Sequence, residues 1–349
     1  MPIQSRRRFL TNAAFAGAAG LGGFGAWGKA LAAEPPLGEP PPETTKLKLW
    51  GDGPVSCNPQ SLVARELLYA EGFTDVEYYT WGRVTRHWAP EVLLSGEVDM
   101  NFSFIPADLI AVDAGEPVVW LAGGHIGCVE LLGGERVRST RDLKGKIVGI
   151  GSLGGTEHIF ISMFAAYVGL DPKKDINWVV VPDFHERLQQ LVDGKIDAVM
   201  WGPPQSLALR NKIGHVLVNT TTDPPWSQYF CCMISSTRAF VNQYPVATKR
   251  ALRALLKASD LCGLEPERVA RLVMAREASK LYGFHYDTLL RGLKEIPFGQ
   301  WRDYDPEDAV RFHALRMHEL GMIKNTPQKL IAEHTDWRFL DELKRELKA

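Results

Sequence analysis

Several common signatures are missing from this chain of 349 residues, and each absence excludes something. It carries no basic surplus: 40 Lys and Arg stand against 41 Asp and Glu, for a net charge of −1. A nucleic-acid binder usually shows a basic stripe or patch, so that class loses support. The five cysteines, Cys57, Cys128, Cys231, Cys232 and Cys262, form no CxxC pair. This removes the main argument for a zinc ribbon or a thioredoxin-type site. The nine histidines include no HExxH, and there is no GxSxG and no GxxxxGK followed by Ser or Thr. The usual metalloprotease, hydrolase and phosphate-loop readings therefore have no anchor. Beyond the first thirty residues no run reaches the roughly 20 apolar residues that a membrane-spanning helix needs.

What is present begins with an address. Ser5-Arg6-Arg7-Arg8-Phe9-Leu10 fits the twin-arginine export pattern, and the uncharged stretch Phe9–Gly28 that follows contains six glycines. So many glycines make a poor spanning helix. Ala30-Leu31-Ala32 then supplies a small-x-small cleavage site. No cysteine follows it directly, which argues against a lipid anchor. The expectation is a twin-arginine signal peptide over 1–32 and export to the periplasm as a soluble protein. Cleavage takes away four positive charges and no acid, leaving −5 on the remaining 317 residues. Residues 33–45 are proline-rich and read as an extended, solvated linker, with the folded part starting near Lys46.

From Lys46 the chain repeats itself. Lys46-Leu-Lys-Leu-Trp-Gly51 is echoed by Lys146-Ile-Val-Gly-Ile-Gly151, and Asp75-Val-Glu-Tyr-Tyr-Thr-Trp81 by Asp175-Ile-Asn-Trp-Val-Val-Val181. Leu93-Leu-Ser-Gly-Glu-Val-Asp-Met100 is matched by Leu191-Val-Asp-Gly-Lys-Ile-Asp-Ala198. Helical patterns closed by glycine, at Pro59–Glu71 and Thr156–Val168, lie between. Alternation of this kind builds a mostly parallel sheet covered by helices. Two copies predict an α/β protein of two lobes, each a mostly parallel sheet flanked by helices, with helices at the C-terminus. The expected division is 46–134 for the first part of lobe I and 135–225 for lobe II. Residues 226–349 return to lobe I and supply the C-terminal helices. The apolar strand Phe230–Ser236 carries the chain back.

Ligands of open α/β sheets bind beyond the carboxyl ends of the strands, where helix N-termini favour anions. That rule selects Asp52 and Asn58 after the first strand, Trp81 and Arg83 after the second, and Ser103 at the end of the third. In the second lobe it selects Ser152, Gly154, Gly155, Thr156 and Trp201. Arg83 is expected to pair with an anionic group, and Trp50, Trp81, Trp201 and Trp226 could wall a pocket or pack between lobes. Gly149-x-Gly151-x-x-Gly154 has the spacing of a dinucleotide fingerprint, but the acid that should end the next strand is misplaced: Asp175 precedes it and Asp183 comes too late. Cys231-Cys232 sits in an apolar strand and reads as a pair of buried, inert thiols. No catalytic, metal or cofactor set emerges.

Together these motifs resemble the periplasmic solute-binding proteins of the nitrate/sulfonate/taurine ABC importers, a group that includes binders of thiamine-pyrimidine precursors. The resemblance rests on Leu94-Ser-Gly-Glu-Val-Asp99, Ala114-Gly-Glu-Pro117, Thr140-Arg-Asp-Leu-Lys-Gly-Lys-Ile-Val-Gly149, Leu191-Val-Asp-Gly-Lys-Ile-Asp-Ala198, Leu320-Gly-Met-Ile-Lys324 and Asp336-Trp-Arg-Phe-Leu340. It implies a two-lobed Venus-flytrap fold and capture of a small solute, anionic or aromatic, by a monomer without chemistry. It further implies delivery to an ABC permease and its ATPase at the inner membrane. The family often has an acid–proline pair after the third strand of the second lobe; Trp201-Gly202-Pro203 lacks the acid, so the ligand does not carry over. The alternative is an exported cofactor-dependent enzyme or a thiamine-pyrimidine-synthase-like protein on the same fold. That synthase type relies on a cysteine-rich motif and a lysine-bound cofactor, and this chain has no such cysteine run.

Overall fold

The computed structural model describes residues 36, 38–52, 57–80, 89–213, 215–276, 279–280 and 283–347. Among the described residues ten strands form two five-stranded sheets. They are β1 (Lys46–Asp52), β2 (Asp75–Thr80), β3 (Met100–Phe104), β4 (Val118–Ile126), β5 (Glu130–Gly133), β6 (Ile147–Ile150), β7 (Asn177–Val180), β8 (Ala198–Trp201), β9 (His215–Asn219) and β10 (Phe230–Thr237). The first sheet runs β2-β1-β3-β10-β4 and the second β7-β6-β8-β5-β9. In each, β-strands from the repeat are parallel, β1 with β2 and β3, and β6 with β7 and β8. Each also holds one antiparallel strand, β10 between β3 and β4 and β5 between β8 and β9. The expected fold class, two mostly parallel lobes flanked by helices with helices at the C-terminus, is what the chain adopts.

The repeat extends to register. Leu47 lies opposite Val76, and Val148 opposite Trp178. Alternation drives it: Leu47 and Leu49 are buried in β1 while Lys46 and Lys48 point outward. In β6, Val148 and Ile150 are buried, and Gly149 lies so close to Ile196 that a Cβ there would meet its Cδ1 at 2.6 Å. β4 is buried along all nine residues although it ends its sheet. Its outer edge is covered by the C-terminal segment, where Thr335 bridges to Trp120 and the Asp336 N–H donates to the Trp120 carbonyl at 3.0 Å. Covering an edge in this way removes a template for aggregation.

The helices follow their caps. Asp305 caps the helix Pro306–Glu319 by accepting the Glu307 N–H at 2.9 Å, and Gly321 closes it in the left-handed conformation. The helix Pro245–Leu264 is buried along much of its length. Its Arg253 donates to Glu71 at 2.6 Å and to Glu39 at 2.7 Å. The Glu43 carboxylate accepts the Val246 and Ala247 N–H groups at the start of that helix. In the described part of the stretch read as a linker no residue is buried, and Glu39 and Glu43 reach onto a cationic helix face and a helix N-terminus. Among the described residues no helix is long and apolar enough to cross a membrane.

Candidate functional site

Two segments cross between the sheets, Gly127–Val129 and Thr220–Tyr229, and they are tied to each other. Val129 N–H donates to Thr220 Oγ1 at 3.0 Å, and Thr220 N–H donates to the Val129 carbonyl at 3.0 Å. Gly127 takes φ +61°, and a Cβ there would stand 2.5 Å from Thr221 Cα, so only glycine fits. The end of β3 meets the helix that follows β6. Phe104, the last residue of β3, is edge-on to Phe160 in the helix after β6, ring centres 6.0 Å apart. Trp226 packs between Phe164 at 4.7 Å and Phe312 at 5.4 Å, which makes it inter-element packing.

On the second-lobe side, β6 runs into the turn Gly151–Gly155 and then the helix Thr156–Tyr167. Ser152 and Gly154 are exposed, Thr156 is half-buried and Gly155 is buried. Gly154 is left-handed at φ +75°, and its N–H donates to His158 Nδ1 at 3.1 Å. Gly155 is the N-cap, with its carbonyl accepting the Ile159 N–H. The anion-binding capacity of this turn is partly met from within: Gly151 N–H donates to Glu157 Oε2 at 2.5 Å. Glu157 in turn pairs with the buried Arg187 at 2.6 Å. Burial pushes the Glu157 carboxyl up, against the pull of Arg187. Trp201, ending β8, stacks on Phe184 with ring centres 3.8 Å apart, and Arg187 lies 5.6 Å from the indole. The Trp201 indole N–H is buried and makes no hydrogen bond among the described residues.

The first-lobe candidates are less gathered. The backbone of Asp52 pairs with Thr80 at the end of β1. Asn58 Oδ1 lies 3.2 Å from His125 Nε2. Trp81 and Arg83 fall outside the described residues. Ser103 is buried inside the lobe, its hydroxyl bonded to Asp108 at 2.5 Å and to Ser235 at 3.1 Å. Asp108 also accepts the Trp120 indole N–H at 2.9 Å, and desolvation pushes its carboxyl up to about 7.

Sequence reasoning missed Phe184, Glu157 and Arg187, which join only when two helices fold onto β6 and β8. It also missed a cluster at the hinge. Ligand-capable atoms of Cys57, His125, Cys128 and Cys232 all lie within 4.8 Å of one another, and all four residues are buried. Cys231 adds a thiol 3.7 Å from Cys128. Hydrogen bonds from Cys128 and Cys232, with help from His125, hold the Cys57 thiol well below the ordinary range.

Comparison with known proteins places this architecture. Residues 131–276 match the model of the NMT1-like family, a span that contains both Thr140–Gly149 and Leu191–Ala198. No curated protein sequence matches the chain. Among solved structures, the periplasmic nitrate-binding protein NrtA from Synechocystis PCC 6803 superposes with a TM-score of 0.72 at 18% identity, covering 88% of this chain and 90% of that one. The fold is that of the periplasmic binding proteins. The alkanesulfonate-binding protein SsuA from Xanthomonas axonopodis pv. citri, bound to MOPS, gives 0.62 at 16% identity over 81% of this chain and 96% of that one. The aliphatic sulphonate-binding SsuA from Escherichia coli gives 0.65 at 16% identity over 82% and 91%. These likenesses bear out the resemblance carried by the sequence motifs.

Proposed function

We propose that this protein is the solute-binding component of an ABC importer, capturing a small molecule between its lobes in the periplasm and delivering it to a membrane permease driven by an ATPase. The observation that carries the reading is the superposition along most of its length on nitrate- and sulfonate-binding periplasmic proteins. The paired crossings support it: two short segments hydrogen-bonded to each other are where the lobes of such a binder would turn relative to one another. The twin-arginine pattern at Arg6-Arg7 supports a periplasmic address, and the chain is read as a monomer.

The second-lobe wall narrows the solute. Arg187 is already neutralised by Glu157, so it is not a spare cation for an anion. What remains is a flat aromatic face on Trp201 and Phe184, the Trp201 indole N–H, and backbone N–H groups at the start of the helix Thr156–Tyr167. These suit a small planar or acidic molecule bearing hydrogen-bond acceptors. Ser152, Gly154, Gly155, Thr156 and Trp201 would line one side, and Asn58 with Asp52, Trp81 and Arg83 the other.

A thermal-shift panel of nitrate, sulfonates, bicarbonate, pyrimidines and aromatic acids tests this. A ligand that binds only the folded state raises the melting temperature by mass action. Calorimetry on any hit should give 1:1 binding. Turnover of a hit into a new product would replace the reading with an enzymatic one.

A further inference from the structure

The densest set of soft ligand atoms in the described residues lies at the hinge, apart from the aromatic wall. Cys57 comes from the segment after β1, His125 and Cys128 from the end of β4 and the first crossing, and Cys232 from β10. None is more than 2% exposed. A tetrahedral zinc ion bound by three sulfurs and one imidazole nitrogen sets its ligand atoms roughly 3.5–3.8 Å apart. The four atoms here lie within 4.8 Å of one another before any ion draws them in. Thiols contribute little hydrogen bonding to a core, and a single imidazole among them is a polar group out of place unless it has a partner.

The histidine is held as a metal ligand should be. Its Nδ1 lies 3.1 Å from the Gly127 carbonyl, which can only accept, so Nδ1 carries the proton. That leaves Nε2 as the coordinating nitrogen, the second-neighbour arrangement that orients metal-binding imidazoles. Nε2 then faces Asn58 Oδ1 at 3.2 Å, an acceptor against an acceptor, so the Asn58 amide must turn its NH2 toward Nε2 or give way to an ion bound there. Cys128, whose thiol lies in the cluster, also holds an unusual backbone, φ 128° at a non-glycine residue.

We infer that Cys57, Cys128 and Cys232, with His125 Nε2, bind one zinc ion that pins the first crossing segment to the first lobe. Binding releases the thiol protons and leaves three thiolates and a neutral imidazole around the ion, a closed four-ligand site of structural type. Cys231 stands beside it as a fourth thiol. The inference is independent of the solute-binding reading: a zinc-loaded protein that captures no solute still supports it.

The test uses the full chain, expressed with zinc in the medium and purified without chelator or reductant. Elemental analysis should find about one zinc per chain, released when the thiols are titrated. Exchange for cobalt should give the thiolate charge-transfer and visible bands of a tetrahedral site. Cys57→Ser and His125→Asn should lose most of the metal, and Cys262→Ser, outside the cluster, should keep it. If those variants fail to fold, zinc content and the cobalt spectrum of the unmodified protein decide. Three results would overturn the inference: folded, reduced protein that takes up neither metal; a disulfide among these cysteines in the purified protein; or copper or iron held in zinc's place.

Discussion

Asp99 and Asp197 make the same pair of hydrogen bonds in different sheets. Asp99 Oδ2 accepts the Lys48 N–H at 2.7 Å while its own N–H donates to the Lys48 carbonyl at 2.8 Å. Asp197 Oδ2 accepts the Ile147 N–H at 2.9 Å and its N–H donates to the Ile147 carbonyl at 2.7 Å. Each side chain thus continues the pairing of its sheet's first parallel strand. Asp197 is also joined to Arg136 at 2.6 Å and is 4% exposed. Asp197→Ala should therefore lower unfolding stability by roughly 2–4 kcal/mol, since it strands a backbone donor and removes the Arg136 pair. Asp99→Ala should cost less because it lacks the arginine. Urea melts of the two variants check both the size and the order.

Gly127→Ala should be destabilising by roughly 2 kcal/mol or more. It adds a Cβ 2.5 Å from Thr221 at φ +61°. Gly96→Ala, left-handed at φ +73° but with open space around it, should cost less. Thermal melts of the pair separate crowding at the hinge from backbone conformation alone.

Two buried groups should nearly hide each other's pH dependence. Asp108 holds its proton up to about pH 7 in the folded state, so its contribution is full below about pH 4 and is lost as pH rises to 7. His313 is buried with Nε2 3.2 Å from the Phe230 carbonyl, and burial lowers it to about 4. Its contribution is lost as pH falls from about 6.5 to 4. Between pH 4 and 6.5 the two slopes oppose. Asp108→Asn should unmask a fall in stability on acidification approaching 1.4 kcal/mol per pH unit, about the full value of one proton. Urea midpoints taken at half-unit steps of pH measure it.

Replacing the aromatic platform should weaken capture without unfolding the lobe. Trp201→Ala is expected to reduce affinity for the captured solute by one to two orders of magnitude, roughly 1.4–2.8 kcal/mol, through loss of the stacked face and the indole donor. Gly155→Val should weaken binding strongly by blocking approach to the helix N-terminus. Arg83→Ala should cost roughly 1.5–3 kcal/mol through a lost charge-assisted hydrogen bond. Calorimetry with a hit from the thermal-shift panel reads all three; unchanged affinity throughout would place the pocket elsewhere.

Export should depend on the arginine pair. Changing Arg6 and Arg7 together to lysine should leave the protein in the cytoplasm, because the translocon reads that pair as an address. Fractionation followed by immunoblotting shows where it accumulates.

The two-sheet plan was legible because its signals are local. Alternation in Lys46–Gly51, the glycine stops at Gly72 and Gly169, and the recurring Gly-x-x-Asp before β3 and β8 each span a few residues and repeat near 100. The direction of Ser103 was not legible. All but the last residue of β3 are buried, so alternation cannot tell the lobe interior from the ligand side, and the hydroxyl turns to Asp108. The Glu157–Arg187 pair joins residues 30 apart, and the hinge cluster draws on positions from 57 to 232. No spacing rule spans such distances, since tertiary structure alone brings them together. The missing CxxC spoke only to ligands close in sequence.

The placement of β10 also fixes an order of events. The second sheet is built from β5 to β9, an unbroken stretch of chain, and can close as soon as β9 is made. The first sheet keeps a gap between β3 and β4 until Phe230–Thr237 arrives. As the chain emerges from the ribosome, the half that begins first must therefore wait with an edge of β3 and both edges of β4 unpaired, while the half that begins later is completed ahead of it. A chaperone that shields nascent edges would find its target in residues 100–126 throughout that interval.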